Sequence, residues 1–422
     1  MMMNPEGERT AGRLRAAVPP LRPAAVVHGQ GAPPIDALLE AFVFEVARRG
    51  FSIGGVVQRN VGDMGECEHT MLLVDVATGA TYDITQRLGA GSDACRVNPA
   101  EVAAAGSAVR DALARGADLI VVNKFAGLEA AGEGLSDELL SAMAAGVPVL
   151  TAVSGRFLDK WRTFTGGMAD LLSPEPAALW RWWGPHRLYR DLVNGVAEAE
   201  IRQIVVGEKW IAVETDVALG LAARPAATLG GALPDLQALT RTGWAALAAG
   251  AADAWDPLAA ALGVAALNAH YNRPELEGAA GNGLDLFAEY DADGPPVVVG
   301  AFPGVEARRR TAQVGDYAAG PGQYPDGAAD WLLPAAGSAL ITASSLPNRT
   351  LPRLLSAAHG RPAALIGPGA PLTDRLFVYG LSAVAGFVAI DRAAVLRVIA
   401  AGGASRDFHP FGRFVTLRAA ER

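Results

Sequence analysis

Polar or glycine-rich bends follow three apolar runs in the last third of this 422-residue chain. The runs 297–300, 339–343 and 363–366 lack polar alternation, which is typical of parallel strands buried on both faces. In open sheets of parallel strands the ligand crevice lies beyond the carboxyl ends of the strands. The three bends therefore predict a binding site for a small ligand.

Twelve residues of the second half are candidates for contact with that ligand. Some follow the runs directly, where hydroxyl groups and backbone N–H groups of a glycine turn can donate hydrogen bonds to an anion. Others lie at the end of a predicted helix over Pro257–Tyr271, which Pro274 terminates. The candidates are Asn268, His270, Asn272, Phe302, Pro303, Glu306, Thr342, Ser344, Ser345, Gly367, Pro368 and Gly369.

Each kind of candidate also has an ordinary structural interpretation. Glu306 suits the first turn of a helix, where the helix dipole favours a carboxylate. Asparagines such as Asn268 and Asn272 often cap a helix or turn the backbone. The segment Gly367-Pro-Gly369 also suits a tight turn between a strand and a helix. No Ser-His-Asp spacing or nucleophile elbow is present, so no catalytic residue is predicted.

A second candidate site lies near the amino terminus, where a strand over Ala24–His28 is followed by a glycine loop and a helix over 35–49. Gly29, Gln30 and Gly31 of this loop, with Asn123 and Lys124 after the buried strand 118–122, predict a nucleotide or anion site. A P-loop would end in Gly-Lys-Ser/Thr, which this loop lacks. The sequence therefore argues against hydrolysis of a nucleoside triphosphate by the usual route.

Two cysteines and one histidine form a third candidate. Cys67, His69 and Cys95 offer two thiolates and an imidazole, a suitable start for a soft-metal site if a fourth donor folds nearby. The spacing contains no C-x-x-C pair, so buried or incidental cysteines are the alternative. The cofactor is accordingly left open, with a transition metal or a molybdenum species as the candidates.

Composition excludes several classes of protein. Apolar residues make up 51% of the chain and charged residues 19%, which excludes a disordered protein. A net charge of −8 argues against nucleic acid or an anionic membrane as a partner. The longest uncharged apolar run, 376–390, is too short to span a bilayer, and two cysteines argue against a disulfide framework. We expect a cytoplasmic protein, and the sequence leaves open whether it forms a homo-oligomer.

The chain is predicted to be α/β with three folded parts, because a chain of this length is too long to fold around one ordinary hydrophobic core. In the last part, strands over 383–390 and 411–417 and helices over 350–358, 372–379 and 393–400 continue the strand and helix alternation. The predicted divisions are a disordered leader 1–23, an α/β domain 24–164, a linker 165–185 that contains Trp180 and Trp183, an α+β domain 186–290 and a layered α/β domain 291–422.

The first domain resembles a bacterial family related to P-loop nucleoside triphosphatases and often fused to, or encoded beside, molybdate-transport components. The resemblance covers about 24–164 and depends on Gly54-Gly-Val-Val-Gln-Arg59, Ala94-Cys-Arg96, Val121-Val-Asn-Lys-Phe125, Glu129, Gly132-Glu-Gly134 and Pro148-Val-Leu-Thr-Ala152. It implies a degenerate P-loop-like fold that binds a nucleotide or an oxyanion.

From about 186 to 417 the chain resembles a bacterial and archaeal family associated with heavy-metal chelation. The matching segments are Gly263-Val-Ala-Ala-Leu-Asn-Ala-His-Tyr-Asn272, Val299-Gly-Ala-Phe-Pro303 with Glu306, Tyr324-Pro325, Leu333-Pro334, Ile341-Thr-Ala-Ser-Ser345, Thr350-Leu-Pro-Arg-Leu354 and Ile366-Gly-Pro-Gly-Ala-Pro-Leu372. The resemblance implies an enolase-N-terminal-like domain, a Rossmann-like domain and a ligand cleft between them. His270 stands where the family more often has an aromatic residue.

These observations favour a protein that binds a metal or a metal-containing small ligand. Molybdenum handling is the preferred function. One alternative is an enzyme that acts on a small phosphorylated or pterin-like metabolite held by the glycine loops. The other is a nucleotide-regulated adaptor whose first domain binds a partner protein.

Overall fold

The computed structural model describes residues 20–29, 34–62, 70–86, 97–284, 294–302, 312–315 and 322–420. The chain divides into a front unit, Pro19–Trp183, and a rear unit that contains Gly184–Arg422. Both are mixed α/β structures with parallel strands, as predicted. No helix within the described ranges combines the length and apolar character that crossing a bilayer requires.

One sheet organises the front unit. Its strands are β1 Ala24–His28, β2 Ile53–Val61, β3 Thr70–Asp75, β4 Thr81–Asp83, β5 Leu119–Phe125, β6 Val149–Ser154 and β7 Asp170–Leu172. The order is β4-β3-β2-β5-β6-β1-β7, in which β3 pairs antiparallel with both β2 and β4 and the other described pairs are parallel. The carboxyl ends of β1, β2 and β5 therefore point to the same edge of the sheet.

Helices cover the faces of this sheet. They are α1 Ile35–Arg48, α2 Pro99–Ala114, α3 Gly127–Ala130, α4 Ser136–Ala144, α5 Leu158–Phe164 and α6 Pro176–Trp183. Trp180 and Trp183 of α6 pack edge-on against Phe42 and Phe51, with ring centroids 5.1 and 5.2 Å apart. The predicted linker thus contains a paired strand, β7, and a helix that is packed within the front unit.

The rear unit contains two sheets. The strands are β8 Ile201–Val206, β9 Trp210–Thr215, β10 Leu219–Ala223, β11 Ala279–Ala280, β12 Pro296–Val299, β13 Ala312–Val314, β14 Ser338–Thr342, β15 Ala363–Ile366, β16 Ala383–Ala389 and β17 Gly412–Arg418. Strands β8 to β10 form an antiparallel meander. The others follow the order β11-β17-β16-β15-β14-β12-β13, with β12 to β16 parallel.

Eight α-helices are described in the rear unit. They are α7 Leu188–Asn194, α8 Leu236–Thr240, α9 Trp244–Asp253, α10 Pro257–Tyr271, α11 Ala329–Leu332, α12 Leu351–Ala357, α13 Arg392–Ala400 and α14 Ser405–Phe408. Helix α10 begins where the Asp256 carboxylate accepts from the Ala259 N–H, and Pro257 occupies its first turn. Most of its side chains are small or apolar and nearly all are buried, so α10 is the central helix of this unit.

Glycines permit close packing around α10. A Cβ atom added to Gly220 of β10 would lie 2.0 Å from the Ala265 carbonyl oxygen and 2.1 Å from the Ala269 nitrogen. One added to Gly263 would lie 2.1 Å from the Ala251 nitrogen of α9. The helix therefore contacts the backbones of both neighbours directly, which larger side chains would prevent.

The predicted strands of the last part are confirmed with shifts of a few residues, but the predicted helix over 372–379 is wrong. That segment instead contains the 3-10 helix Asp374–Tyr379. Thr373 is extended and its hydroxyl caps Arg375, while the Leu372 N–H donates to the side chain of Asn272. Tertiary hydrogen bonds hold the start of this segment out of a helix.

Replacement of Gly220 by alanine tests the contact between β10 and α10. We expect Gly220→Ala to lower the free energy of unfolding of the rear unit by about 2 kcal/mol or more, because backbone atoms must move apart. Gly231→Ala is the matched control, since its added Cβ would meet its nearest atom at 3.7 Å. Urea denaturation measures the stability of both variants. Equal denaturation midpoints for Gly220→Ala and Gly231→Ala would contradict the close contact between β10 and α10.

Candidate functional site

A small cavity lies beyond the carboxyl ends of β14 and β15, against the β9 and β10 strands of the meander. Its volume is about 30 Å³. Five of the predicted ligand residues, from both bends, line it together with three others. The lining residues are Trp210, Ala223, Thr342, Ala343, Ser344, Gly367, Pro368 and Gly369. Two of the predicted bends therefore meet at one cavity.

Glycine backbone brings these bends together. Gly300 ends β12 with φ +110°, and an added Cβ would lie 2.6 Å from Cβ of Thr342. Gly367 has φ +138°, and its added Cβ would lie 3.3 Å from that of Ala343. An added Cβ on Gly369 would lie 3.3 Å from the Leu221 carbonyl oxygen of β10. Side chains at these positions would separate the strand ends.

Hydroxyl groups provide the polar surface of the small cavity. Thr342 Oγ1 accepts from the Ser344 N–H and donates to Ser344 Oγ, both at 3.3 Å. Ser345 is fully buried and donates to the Thr342 carbonyl at 2.6 Å, so it closes the turn without lining the cavity. None of the lining side chains carries a charge. The arrangement can hydrogen-bond a ligand and offers no carboxylate, thiolate or imidazole to a bare metal ion.

The predicted residue His270 lines a different and larger cavity, the large cleft, at the end of α10. This open cleft has a volume of about 580 Å³. Its lining combines charged, aromatic and apolar side chains: His270, Tyr271, Arg273, Glu275, Leu276 and Leu372. The structure therefore distributes the predicted ligand residues over two cavities.

His270 is uncharged at neutral pH. Burial lowers its pKa to about 4, and Arg273 and Arg375 contribute in the same direction. Nη2 of Arg273 lies 2.9 Å from Nδ1 of His270, and the guanidinium has only donors, so Nδ1 accepts and Nε2 carries the proton. His270 therefore presents a fixed N–H donor.

Asn268 and Asn272 hold the segment 369–372, which connects the two cavities. Asn268 Nδ2 donates to the carbonyls of Leu221 and Gly369, at 2.6 and 2.8 Å. Asn272 Nδ2 donates to Ala370 and Phe387, and its Oδ1 accepts from the Leu372 N–H at 2.9 Å. Both amides are buried and bound to main chain. Contact of Asn272 with a ligand would require breaking these bonds.

The predicted front site centres on an aspartate that the sequence analysis did not select. Asp36, in the first turn of α1, accepts from Asn123 Nδ2 at 2.8 Å and lies 3.5 Å from Lys124 Nζ. Burial lowers the pKa of neighbouring His28, and Lys124 lowers it further while Asp36 opposes both. Asp36 therefore offsets the positive charge of Lys124 that the predicted anion site would use. An acidic residue in the first turn of the predicted helix 35–49 was the signal in the sequence.

The remaining candidates are placed as follows. Gly29 is exposed just after β1, and Phe302 packs on the apolar cluster around Val298 and Leu340. Seven candidates lie outside the described residues: Gln30, Gly31, Cys67, His69, Cys95, Pro303 and Glu306. Within the described ranges no group of three His, Cys, Asp or Glu side chains could hold a metal ion.

Three family models match the chain. Residues 189–271 match DUF4213 and residues 282–418 match DUF364, and both models are described as "Putative heavy-metal chelation". The rear unit carries both heavy-metal chelation matches. Residues 23–182 match DUF2478, a protein family of unknown function.

A curated relative resembles part of the chain. Molybdenum import ATP-binding protein ModC 2 of Bradyrhizobium diazoefficiens is 44% identical over 168 residues. The match covers 40% of this chain and 19% of the relative, so this chain spans about a fifth of that protein's length. The predicted resemblance to a molybdate-transport component is confirmed for this stretch.

Two crystal structures of DUF364 proteins of unknown function are also similar. The protein from Desulfitobacterium hafniense is 26% identical, with a TM-score of 0.50, and the match covers 55% of this chain and 97% of that chain. The protein from Pyrococcus horikoshii is 17% identical, with a TM-score of 0.48 over 56% of this chain and 99% of that chain. The first match confirms the predicted resemblance to the heavy-metal chelation family.

Replacement of Asn272 separates its structural role from the predicted ligand role. We expect Asn272→Ala to lower the free energy of unfolding by about 3 kcal/mol, because it leaves two carbonyls and one N–H without their buried partner. The exposed Asn194 provides the control, and Asn194→Ala should change stability by less than about 0.5 kcal/mol. Unchanged stability in Asn272→Ala would favour the ligand role instead.

The pKa of His270 predicts a stability change with pH. The unfolded chain binds a proton near pH 6.5 and the folded chain only near pH 4, so stability is lost as pH falls through this window. Between pH 7.5 and 4.5 the wild type should lose about 2 kcal/mol more than His270→Phe, after allowance for partial exposure. Urea denaturation at both pH values measures the difference; parallel losses in the two proteins would show that His270 titrates normally.

Proposed function

We propose that the rear unit binds a tetrahedral metal oxyanion of the molybdate type in the small cavity. The observation that carries the proposal is the lining of that cavity, which combines hydroxyl groups and glycine backbone with no charged side chain. Oxyanions accept hydrogen bonds from such groups. Because the Gly367 N–H donates to the Ala385 carbonyl, the hydroxyl groups of Thr342 and Ser344 are the principal candidate donors.

The chemistry of the lining favours an oxyanion over a bare metal cation. Protein sites for transition metals use thiolate, imidazole or carboxylate ligands, and none of the lining side chains supplies one. The described part of the chain contains no alternative cluster of such ligands. A metal that arrives as an oxyanion already has its own oxygen ligands, so the protein needs only hydrogen-bond donors.

The size of the cavity supports a compact inorganic ligand. About 30 Å³ is comparable with the share of liquid volume that one water molecule occupies. A pterin or a nucleotide is far too large for this cavity. A tetrahedral anion is larger than one water molecule, so binding requires the bends at Ser344 and Pro368 to separate; neither bend belongs to a strand of the sheet.

The wider organisation is consistent with metal-related function. One relative is named as a molybdenum import protein, and two family models that match the rear unit describe heavy-metal chelation. We further propose the finer domain assignment: a degenerate P-loop-like domain over 24–164 with which the segment 165–185 packs, an enolase-N-terminal-like domain over 186–290 and a Rossmann-like domain over 291–422. We also propose a cytoplasmic location.

Isothermal titration of the whole protein with molybdate tests the proposal. We expect the double variant Thr342→Val/Ser344→Ala to bind molybdate at least about tenfold more weakly, since it removes two hydrogen bonds to a charged ligand. Ser356→Ala is the control, because that hydroxyl donates to Pro352 within α12 and away from the cavity. Sulfate, Zn²⁺ and Ni²⁺ serve as competing ligands.

Two outcomes would count against the oxyanion site. The first is equal affinity for molybdate in the double variant and the wild type. The second is binding of Zn²⁺ or Ni²⁺ by the wild type with no binding of molybdate. Circular dichroism of the double variant confirms that it remains folded.

A further inference from the structure

We propose that the large cleft is a separate binding site for a small organic anion, held by Arg273 and His270 with its apolar part against Leu276 and Leu372. The site is distinct from the small cavity and does not depend on the proposed oxyanion function. It uses His270, a predicted ligand residue that does not line the small cavity.

Arg273 supplies a positive charge that no carboxylate within the described ranges pairs with. Its Nε donates to the His270 carbonyl at 2.9 Å, and its Nη2 donates to His270 Nδ1. These bonds use two of the five N–H groups of the guanidinium. Within the described ranges Arg273 forms no ion pair, whereas the nearby Arg375 is paired with the buried carboxylate of Asp191. The free N–H groups and the charge of Arg273 are thus available to an anion.

His270 adds a second donor to the same cleft. Its Nε2–H group is fixed by the bond that Nδ1 accepts from Arg273. The ring is also held between aromatic neighbours, with its centroid 5.5 Å from that of Trp244 and 4.8 Å from that of Tyr271. A guanidinium and an imidazole N–H held at the same helix end are well suited to the oxygens of a carboxylate or a phosphate ester.

Two negative features near the cleft oppose anion binding: the carbonyl end of α10 and the carboxylate of Glu275. The charge of Arg273 is larger than the partial charge of the helix end. The last carbonyls of α10 carry a partial negative charge of about half an elementary charge, less than the full charge of a guanidinium. Glu275 is exposed and carries a full negative charge, which solvent screens. Glu275 should therefore weaken anion binding without abolishing it, and its removal should strengthen binding.

Size and apolar surface identify the ligand as organic. A volume of about 580 Å³ lies within the usual range of small-molecule sites and is much larger than an inorganic anion needs. Leu276 and Leu372 provide apolar contacts inside the cleft. A ring or short chain that carries one acidic group matches these features better than phosphate or molybdate alone.

The test uses four probes on the full-length protein: benzoate, phenyl phosphate, benzyl alcohol and inorganic phosphate. Saturation-transfer NMR and isothermal titration should show binding of benzoate or phenyl phosphate, with benzyl alcohol and inorganic phosphate at least tenfold weaker. Arg273→Gln should weaken the organic anion at least tenfold, and Glu275→Gln should tighten it roughly two- to fivefold. Arg202→Gln, at an exposed arginine of β8, is the matched control and should have no effect.

Several results would overturn the proposal. They are failure of both organic anions to bind at millimolar concentration, equal affinity of inorganic phosphate, and unchanged affinity in a folded Arg273→Gln protein. If Arg273→Gln does not fold, the affinity of Glu275→Gln for the organic anion decides the question. Weaker or equal binding by that variant would contradict an anion site. Loss of molybdate binding in the Thr342→Val/Ser344→Ala variant should leave benzoate binding intact, so the two proposals fail independently.

Discussion

Two buried amide side chains at the end of α10 hold the rear unit together. The segment 369–372 has left strand β15, so no neighbouring strand satisfies its carbonyl groups, and buried unpaired carbonyls are costly. Asn268 and Asn272 supply the missing donors. Because Gly369 lines the small cavity and Leu372 lines the large cleft, the same hydrogen bonds determine the shape of both.

Charge is distributed differently around the two cavities. The fully buried Asp191 is compensated by Arg375 and by the hydroxyl of Tyr379, which donates at 2.8 Å. Because the guanidinium of Arg375 is paired with Asp191, its charge is not offered to an anionic ligand. The pairing also leaves neither ion buried without a partner, which would be unfavourable. Arg273 remains at the cleft, and the small cavity has only neutral donors. The two proposed sites therefore do not share a charged side chain.

The front unit shows how one residue changes the chemistry that a motif suggests. A glycine loop followed by a helix normally offers backbone N–H groups and the positive end of a dipole to phosphate. Asp36 places a carboxylate in the first turn of that helix and binds Asn123 and Lys124. The paired carboxylate of Asp36 therefore distinguishes this front site from an ordinary phosphate-binding loop.

The sequence alone determined the mixed α/β class, the five strands β12, β14, β15, β16 and β17 of the large rear sheet, and five of the eight residues that line the small cavity. These follow from local patterns, since unbroken apolar runs predict buried strands and glycine-bearing bends mark their ends. Only the tertiary structure showed that His270 belongs to a different cavity from Thr342 and Ser344, and that the asparagines of α10 bind main chain. Contacts between residues about a hundred positions apart, such as Asn272 with Leu372, leave no local pattern. The pairing of Asp36 with Lys124 was likewise decided by the order of strands in the sheet, which brings the end of β5 beside the start of α1.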